Sequence, residues 1–105
     1  MEAALKAIAE PNRRRILTLV RDEELSAGEI AQHFQVTRPA VSQHLAVLKH
    51  AGLLSERRAG TRRLYSVRPG GLEELRAFIE GFWDDRLDSL KREAEREEQG
   101  RHGRG

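Results

Sequence analysis

Apolar residues recur every three or four positions along much of the chain, a spacing typical of amphipathic helices. In the N-terminal third this pattern predicts three helices. Pro11 suits the first turn of the second helix, because a proline there lacks only an N–H that has no helical partner. Ser26 and Glu29 have the spacing of a capping box, which places the start of the third helix at Ala27. The predicted helices cover residues 3–9, 11–21 and 27–34, with Leu5 and Ile8 on the apolar side of the first.

A fourth helix is predicted over residues 37–51. Thr37 can cap its N terminus, Pro39 falls in its first turn, and Gly52 marks its end. At about 100° per residue its apolar positions form one stripe, so the helix is expected to bury that stripe and leave a polar, basic face in water. The stripe consists of Val41, Leu45 and Leu48.

A β-hairpin is predicted over residues 54–67. Two extended stretches, at about 54–58 and 62–67, flank a tip in which Gly60 can supply a positive φ. Two arginines precede this tip and two follow it. The hairpin is therefore expected to carry a strongly cationic end.

The longest apolar pattern predicts a last helix over residues 72–98. Its stripe shifts by one residue between Phe82 and Trp83, which favours a broad packing face over a long, regular coiled coil. Residues 99–105 include no apolar side chain and are expected to form a disordered tail. Residues 1–98 are thus predicted to form a single domain, mainly α with a two-stranded β-wing.

Length and composition narrow the class of protein. A chain of 105 residues with 38% hydrophobic and 34% charged residues suits one small soluble domain. Its apolar runs are far shorter than the roughly 20 residues that span a bilayer, and the N terminus lacks the apolar core of a signal peptide, so a cytoplasmic protein without a membrane partner is expected. The absence of cysteine excludes disulfides and thiolate metal sites. No nucleophile stands at motif spacing from a base and there is no glycine-rich phosphate loop, so an enzyme is not expected.

The net charge of +2 conceals an uneven distribution of charges. Residues 36–68 contain seven basic residues and one acidic residue, whereas residues 72–98 contain ten acidic and five basic ones. This asymmetry predicts a face that binds a polyanion, separate from a helix that self-associates or faces solvent. The predicted elements follow the order of a winged helix-turn-helix: a helix, a short turn, a polar-faced helix and an arginine-tipped hairpin. In that fold the second helix enters the major groove of double-stranded DNA.

Four segments resemble the ArsR/SmtB family of dimeric transcriptional regulators. They are "AEPNRRRIL", "ELSAGEIA", "VTRPAVSQHLAVLKHAGLL" and "ERRAGTRRLYSV", within about residues 3–67. The resemblance implies a homodimer formed by the first and last helices, which binds a palindromic operator and usually represses transcription. An apolar terminal helix on a small basic domain favours dimerisation independently. The expected interface residues are Leu5, Ile8, Leu75, Ile79, Phe82, Trp83, Leu87 and Leu90.

The sequence departs from the family at the positions that sense metals. Members that respond to metals or arsenicals often carry cysteines in the segment that matches "ELSAGEI", where this chain has Ser26 and Gly28. Other members bind zinc through Asp, His and Glu of the last helix, but residues 72–98 contain no histidine. No metal and no cofactor is therefore predicted. A cavity between two last helices can accommodate a small apolar effector, whose identity the sequence does not indicate.

Individual side chains are assigned to DNA by their chemistry and position. Gln43, Ser42 and Arg38 can read base edges, because glutamine pairs with adenine and arginine with guanine. Thr37 is expected to cap the helix and contact a phosphate, while His44 stays open between a DNA contact and a half-buried, hydrogen-bonded role. The clustered arginines of the hairpin suit phosphate or minor-groove contact. The predicted DNA-binding residues are Thr37, Arg38, Pro39, Ser42, Gln43, His44, Lys49, Arg57, Arg58, Thr61, Arg62 and Arg63.

Two further expectations are less specific. Arg13, Arg14 and Arg15 are expected to be mostly solvated, with one of them touching the DNA backbone. The alternative function is a winged-helix protein-interaction module, which binds a partner protein through the basic face and does not read DNA sequence.

Overall fold

The computed structural model describes the backbone of residues 1–102, and the side chains of residues 1–83 and 90–96. The described residues form five helices and three strands, mainly α-helical with a β-hairpin wing as predicted. In chain order they are α1 (Glu2–Ile8), α2 (Pro11–Val20), β1 (Leu25–Ser26), α3 (Ala27–Ala31), α4 (Arg38–His50), β2 (Leu54–Ala59), β3 (Arg62–Val67) and α5 (Glu73–His102).

The chain divides into two compact units, while the single domain over residues 1–98 stays a prediction. The first unit is Met1–Glu73, and the second begins at Glu74, just after the start of α5. None of the helices in the described part of the chain is both long enough and apolar enough to cross a membrane.

One apolar core holds the first unit together. It includes Ile16 and Val20 of α2, Ile30 of α3, and the predicted stripe of α4, which is buried along its whole length. Leu53 and Leu54 close the core where the chain leaves α4 and enters β2. Because one face of α4 is fully occupied by this core, the opposite face is fixed in water.

Two arginines of α2 complete the C-terminal end of α1. The guanidinium of Arg13 donates from Nε to the carbonyl of Ala7 at 2.6 Å and from Nη2 to that of Lys6 at 3.1 Å. Arg14 Nη1 donates to the carbonyl of Ile8 at 2.7 Å. The last carbonyls of a helix have no helical partner, and a cation there also suits the helix dipole. Arg14 remains exposed as expected, whereas Arg13 is half-buried, and both bond to carbonyls of α1 that the sequence did not indicate.

The start of α3 confirms the capping box, but its end differs from the prediction. The Ser26 hydroxyl accepts from the Glu29 N–H at 3.2 Å, and the Glu29 carboxylate accepts from the Ser26 N–H at 3.1 Å. The helix ends at Ala31 and not at about Phe34, because the following residues are held by bonds to the carbonyl three positions earlier, as in the bond from the Phe34 N–H to Ala31.

The wing consists of β2 and β3, residues 54–67, and its tip is as short as a hairpin allows. Ala59 faces Arg62, so Gly60 and Thr61 alone form the connection, and Gly60 has a φ of 66°. The unpredicted strand β1 lies on the other side of β3, where Leu25 pairs with Tyr65. A strand of two residues has no periodicity that a sequence pattern could detect.

Helix α5 begins at Glu73 and continues to His102, four residues beyond the predicted end. Residues 99–102 thus continue α5 where a tail was predicted, and residues 103–105 lie outside the described part of the chain. Leu75 is only 7% exposed, so it offers little area to a partner. By contrast, Phe82 and Trp83 are 61% and 58% exposed, and Ile79 and Leu90 are exposed as well. The side chain of Leu87 lies outside the described residues.

Gly71, between the wing and α5, and Gly60, in the tip of the wing, are expected to tolerate a side chain differently. A Cβ on Gly71 would lie 2.4 Å from the Gly52 carbonyl oxygen, which is backbone and cannot move aside, whereas a Cβ on Gly60 would meet nothing within 4 Å. Gly71→Ala is expected to lower the free energy of unfolding by about 2–3 kcal/mol through overpacking, and Gly60→Ala by about 1 kcal/mol through its positive φ. Urea unfolding of both variants measures the difference. Equal losses would contradict the close approach at Gly71.

Candidate nucleic-acid interface

The water-facing side of α4 presents a row of polar side chains. The Thr37 hydroxyl accepts from the Ala40 N–H at 3.3 Å, which confirms its role as the N-terminal cap. Pro39, Ser42 and Gln43 are all exposed. Among the described residues, Ser42 and Gln43 have no side-chain hydrogen-bond partner, so their polar groups are available to a ligand.

Arg38 leaves that row and turns toward the wing. Its guanidinium carbon lies 3.9 Å from the place that a Cβ on Gly28 would occupy, so the side chain covers the first turn of α3. There it lines a pocket of about 330 Å³ between α3, α4 and the wing. The pocket gathers four of the predicted DNA-binding residues from two separate segments, and its lining is Ser26, Ala27, Arg38, Thr61, Arg62, Arg63 and Tyr65.

His44 lies at the border of the core. Its side chain is 19% exposed, and Nδ1 is 3.8 Å from the Glu10 carboxylate. Glu10 is the N-terminal cap of α2 and accepts from the Arg13 N–H at 3.0 Å. This position supports the half-buried role for His44, which lies between α4 and the start of α2.

Glu56 links the C-terminal end of α4 to both strands of the wing. Its carboxylate accepts from Lys49 Nζ at 2.8 Å and lies 3.4 Å from Arg63 Nη1. The Glu56 side chain is 16% exposed, so this charge is largely shielded from solvent. The hydrogen bond from Lys49 and the two positive charges lower the pKa of Glu56, which therefore stays ionised at neutral pH.

Two of the wing arginines are paired with carboxylates from outside the wing. Arg57 Nε donates to the Glu24 oxygens at 2.8 and 3.0 Å, and Arg62 forms an ion pair with Glu29. The hydrogen bond from Arg57 lowers the pKa of Glu24, while the bonds from Ser26 are the main cause of the lowered pKa of Glu29. Within the described residues Arg58 takes part in no ion pair.

A count of charges by segment does not reveal that these two glutamates lie at the wing. Glu24 and Glu29 lie outside the basic stretch, and each stands 33 residues from its arginine. Pairing of β1 with β3 brings them to the wing, at the register Leu25 with Tyr65. The cationic surface is therefore less positive than the count of residues 36–68 implies. Among the residues described, no three His, Asp or Glu side chains converge on a point where a metal could be held.

Known proteins resemble this chain both in sequence and in fold. Residues 10–56, which contain the helix-turn-helix and the start of the wing, match the family model described as bacterial regulatory protein, arsR family. The HTH-type transcriptional regulator Rv2034 of Mycobacterium tuberculosis is 46% identical over 82 residues, which cover 78% of this chain and 77% of that protein. The chain belongs to the arsR family of bacterial regulatory proteins.

Two further relatives extend the comparison. The transcriptional repressor SdpR of Bacillus subtilis is 39% identical to this ArsR-family chain over 74 residues, which cover 70% of this chain and 82% of SdpR. The solution structure of the homodimeric winged helix-turn-helix DNA-binding domain of Mb0332 from Mycobacterium bovis superposes with a TM-score of 0.65 at 30% identity. That match covers 82% of this chain and 80% of the other. The winged helix-turn-helix fold is thereby confirmed, and the family consists of regulators, not enzymes.

The shielded carboxylate of Glu56 generates a prediction about pH. Because the folded state lowers the pKa of Glu56, its ionised form stabilises the fold above the unfolded value of roughly 4.3, and this contribution is lost as pH falls through the folded pKa. Glu56→Gln is expected to lower the free energy of unfolding by about 1 kcal/mol at pH 7. The difference from wild type should disappear once Glu56 is protonated in the folded state.

Urea unfolding at a series of pH values from 7 downward measures that difference. Glu23→Gln serves as the control, since Glu23 is exposed and has no ion-pair partner among the described residues. A deficit of Glu56→Gln that persists unchanged at the lowest pH would show that charge is not its cause.

Proposed function

We propose that this ArsR-family chain is a homodimeric repressor of transcription that binds a palindromic operator in double-stranded DNA. The observation that carries the proposal is the exposed, unpaired polar row of α4 beside a wing rich in arginine. A helix of this size fits the major groove, and a cationic hairpin beside it meets the flanking backbone. Family membership favours this function over a protein-interaction module that does not read DNA.

The base-reading role belongs to Gln43, with Ser42 beside it. A glutamine side chain can bond to adenine through both its amide oxygen and its nitrogen, which distinguishes adenine from the other bases. Gln43 supports this assignment because its amide is exposed and has no partner within the described residues. Pro39 lies on the same exposed row and packs beside the bases or the sugar edge.

The remaining predicted residues hold the DNA backbone in place. The pocket that contains Arg38, Thr61, Arg62 and Arg63 has the guanidinium and hydroxyl donors that a phosphate group accepts from. This placement favours a phosphate contact for Arg38 over the base contact that its chemistry also allows. Thr37, Lys49, Arg57 and Arg58 complete the backbone set, whereas His44 is assigned the half-buried role beside Glu10.

The dimer interface is proposed on α1 and α5. Large apolar side chains in water are costly, and α5 exposes Ile79, Phe82, Trp83 and Leu90. Phe78 and Phe82 pack edge to face, with ring centroids 5.1 Å apart, and thus form a preassembled aromatic surface. Leu5 and Ile8 are half-buried and contribute from α1, whereas Leu75 does not offer exposed area.

A repressor that does not respond to metals is the form we propose for this chain. Ser26, at a position where metal-sensing members often have cysteine, uses its hydroxyl in the capping box of α3. Neither hydroxyl nor glycine supplies the thiolate that soft metals require. A cytoplasmic location follows from the proposed function on DNA.

Selection of bound duplexes from a random pool tests the function, and Gln43→Ala tests the reading residue. A palindromic consensus with half-sites about one helical turn apart is expected. On that consensus, Gln43→Ala should lose about 1–3 kcal/mol of binding free energy and should lose little on random duplex. Gln32→Ala, an exposed glutamine outside α4, is the matched control. Equal affinity of the wild type for consensus and random duplex would contradict the proposal.

The proposed dimer is tested by removing the exposed aromatics of α5. Phe82→Ala combined with Trp83→Ala should convert a dimer into a monomer, because these rings supply much of the apolar area to be buried. Light scattering over a range of protein concentrations measures the mass. Val47→Ala removes an apolar residue of α4 that is 40% exposed and should leave the dimer intact. A monomeric wild type at all concentrations would contradict this assignment.

A further inference from the structure

Two exposed ion pairs connect the wing to the segment around β1. Glu24, just before β1, binds the guanidinium of Arg57 on β2, and Glu29 of α3 binds that of Arg62 on β3. Both arginines are among the residues proposed to contact DNA phosphate. Each therefore has a carboxylate partner within the unbound chain.

We propose that Glu24 and Glu29 set the DNA affinity of the wing by competing with phosphate for Arg57 and Arg62. This inference rests on the proposed DNA contacts of the wing. A guanidinium uses the same planar set of N–H donors for a carboxylate and for a phosphate. Arg57 directs its Nε to both oxygens of Glu24, so a phosphate that approaches the same edge of the guanidinium must displace Glu24.

Glu24 and Glu29 can release their arginines to phosphate because both ion pairs are exposed to solvent. Ion pairs in contact with water are weak, since water and salt compete for both charges. A phosphodiester in the DNA backbone offers a denser negative field than a single carboxylate and can take the arginine over. The freed glutamate then lies close to the DNA and repels it, so each carboxylate opposes binding both before and after the exchange.

Salt dependence provides a second consequence of the exchange. A cation that neutralises a DNA phosphate releases condensed counterions, which makes binding weaken as salt rises. A glutamate that loses its arginine attracts a cation from solution and offsets part of that release. The wild-type protein should therefore show a shallower salt dependence than a variant without the carboxylate.

Glu56 does not belong to this pair of competitors. It bridges Lys49 and Arg63 at once and is more shielded than either Glu24 or Glu29. A phosphate that takes one of its two cations leaves the other in place. Glu56 therefore holds its cations in position, whereas Glu24 and Glu29 can release theirs.

The test uses Glu24→Gln and Glu29→Gln in the full chain, with the selected operator and a random duplex of equal length as probes. Glutamine at position 29 keeps the capping box, because an amide oxygen also accepts from the Ser26 N–H. Each variant is expected to bind the operator about two- to fivefold more tightly, in line with the small worth of an exposed pair. The slope of log affinity against log salt should steepen by up to about one unit per variant. Fluorescence anisotropy over a series of KCl concentrations measures both quantities.

Glu23→Gln is the matched control, because it makes the same change of net charge one residue away from Glu24. Glu23 is exposed and has no ion pair among the described residues, so its variant should bind like wild type. If Glu23→Gln tightens binding as much as Glu24→Gln, net charge is the cause and the proposal is overturned. If Glu24→Gln and Glu29→Gln bind more weakly than wild type, the glutamates position the wing and the proposal is also overturned.

Arg57→Gln separates this inference from the proposed function. Weaker binding by Arg57→Gln, with a smaller gain from adding Glu24→Gln to it than Glu24→Gln gives alone, supports competition for that arginine. Weaker binding by Arg57→Gln together with an unchanged Glu24→Gln overturns the competition alone. Unchanged binding by Arg57→Gln contradicts the DNA contact of the wing on which the inference rests.

Discussion

Burial of one stripe of α4 is the constraint on which the DNA-facing surface depends. Val41, Leu45 and Leu48 are enclosed by residues of α2, α3 and the chain before β2. Because these three side chains must stay buried, the orientation of α4 about its own axis is fixed. The polar row with Gln43 is therefore held outward by the core and not by contacts of its own. A helix that presents side chains in this way can keep them unpaired, and unpaired groups are what base recognition requires.

Pairing between β1 and β3 is the second determinant of the DNA-facing surface, because it sets which charges lie there. Only two residues form β1, yet this short ladder brings Glu24 and Glu29 beside arginines that follow them 33 positions later. It also places the start of α3 against the wing, where Arg38 joins Arg62 and Arg63 in one pocket. The proposed binding surface thus contains some arginines that are paired with carboxylates and others that are not. A count of basic residues alone does not distinguish the two kinds.

Much of the fold follows from signals that are local in the sequence. The cap at Thr37, the capping box of Ser26 with Glu29, and the positive φ of Gly60 in the hairpin tip are signals within a few positions of one another, and all three are present. The features that escaped prediction depend on distant partners. Strand β1, the ion pairs of the wing and the turn of Arg38 toward α3 arise only when segments far apart in the chain meet. The bonds from Arg13 and Arg14 to α1 escaped prediction for a related reason, since their carbonyl partners carry no sequence signature.

Those arginines have a consequence for how mutations in this chain would be interpreted. Helix α1 has seven residues, which is too short to persist in water without support, and its last three carbonyls are bonded by Arg13 and Arg14. Loss of either side chain would loosen α1, whose Ala4 and Ala7 belong to the core, while the packing among α2, α3 and α4 remains. In a genetic screen for defective repression, such a mutant would resemble the loss of a phosphate contact, because an arginine has disappeared from a basic protein. Its actual defect would be the fraying of a helix proposed to hold two subunits together.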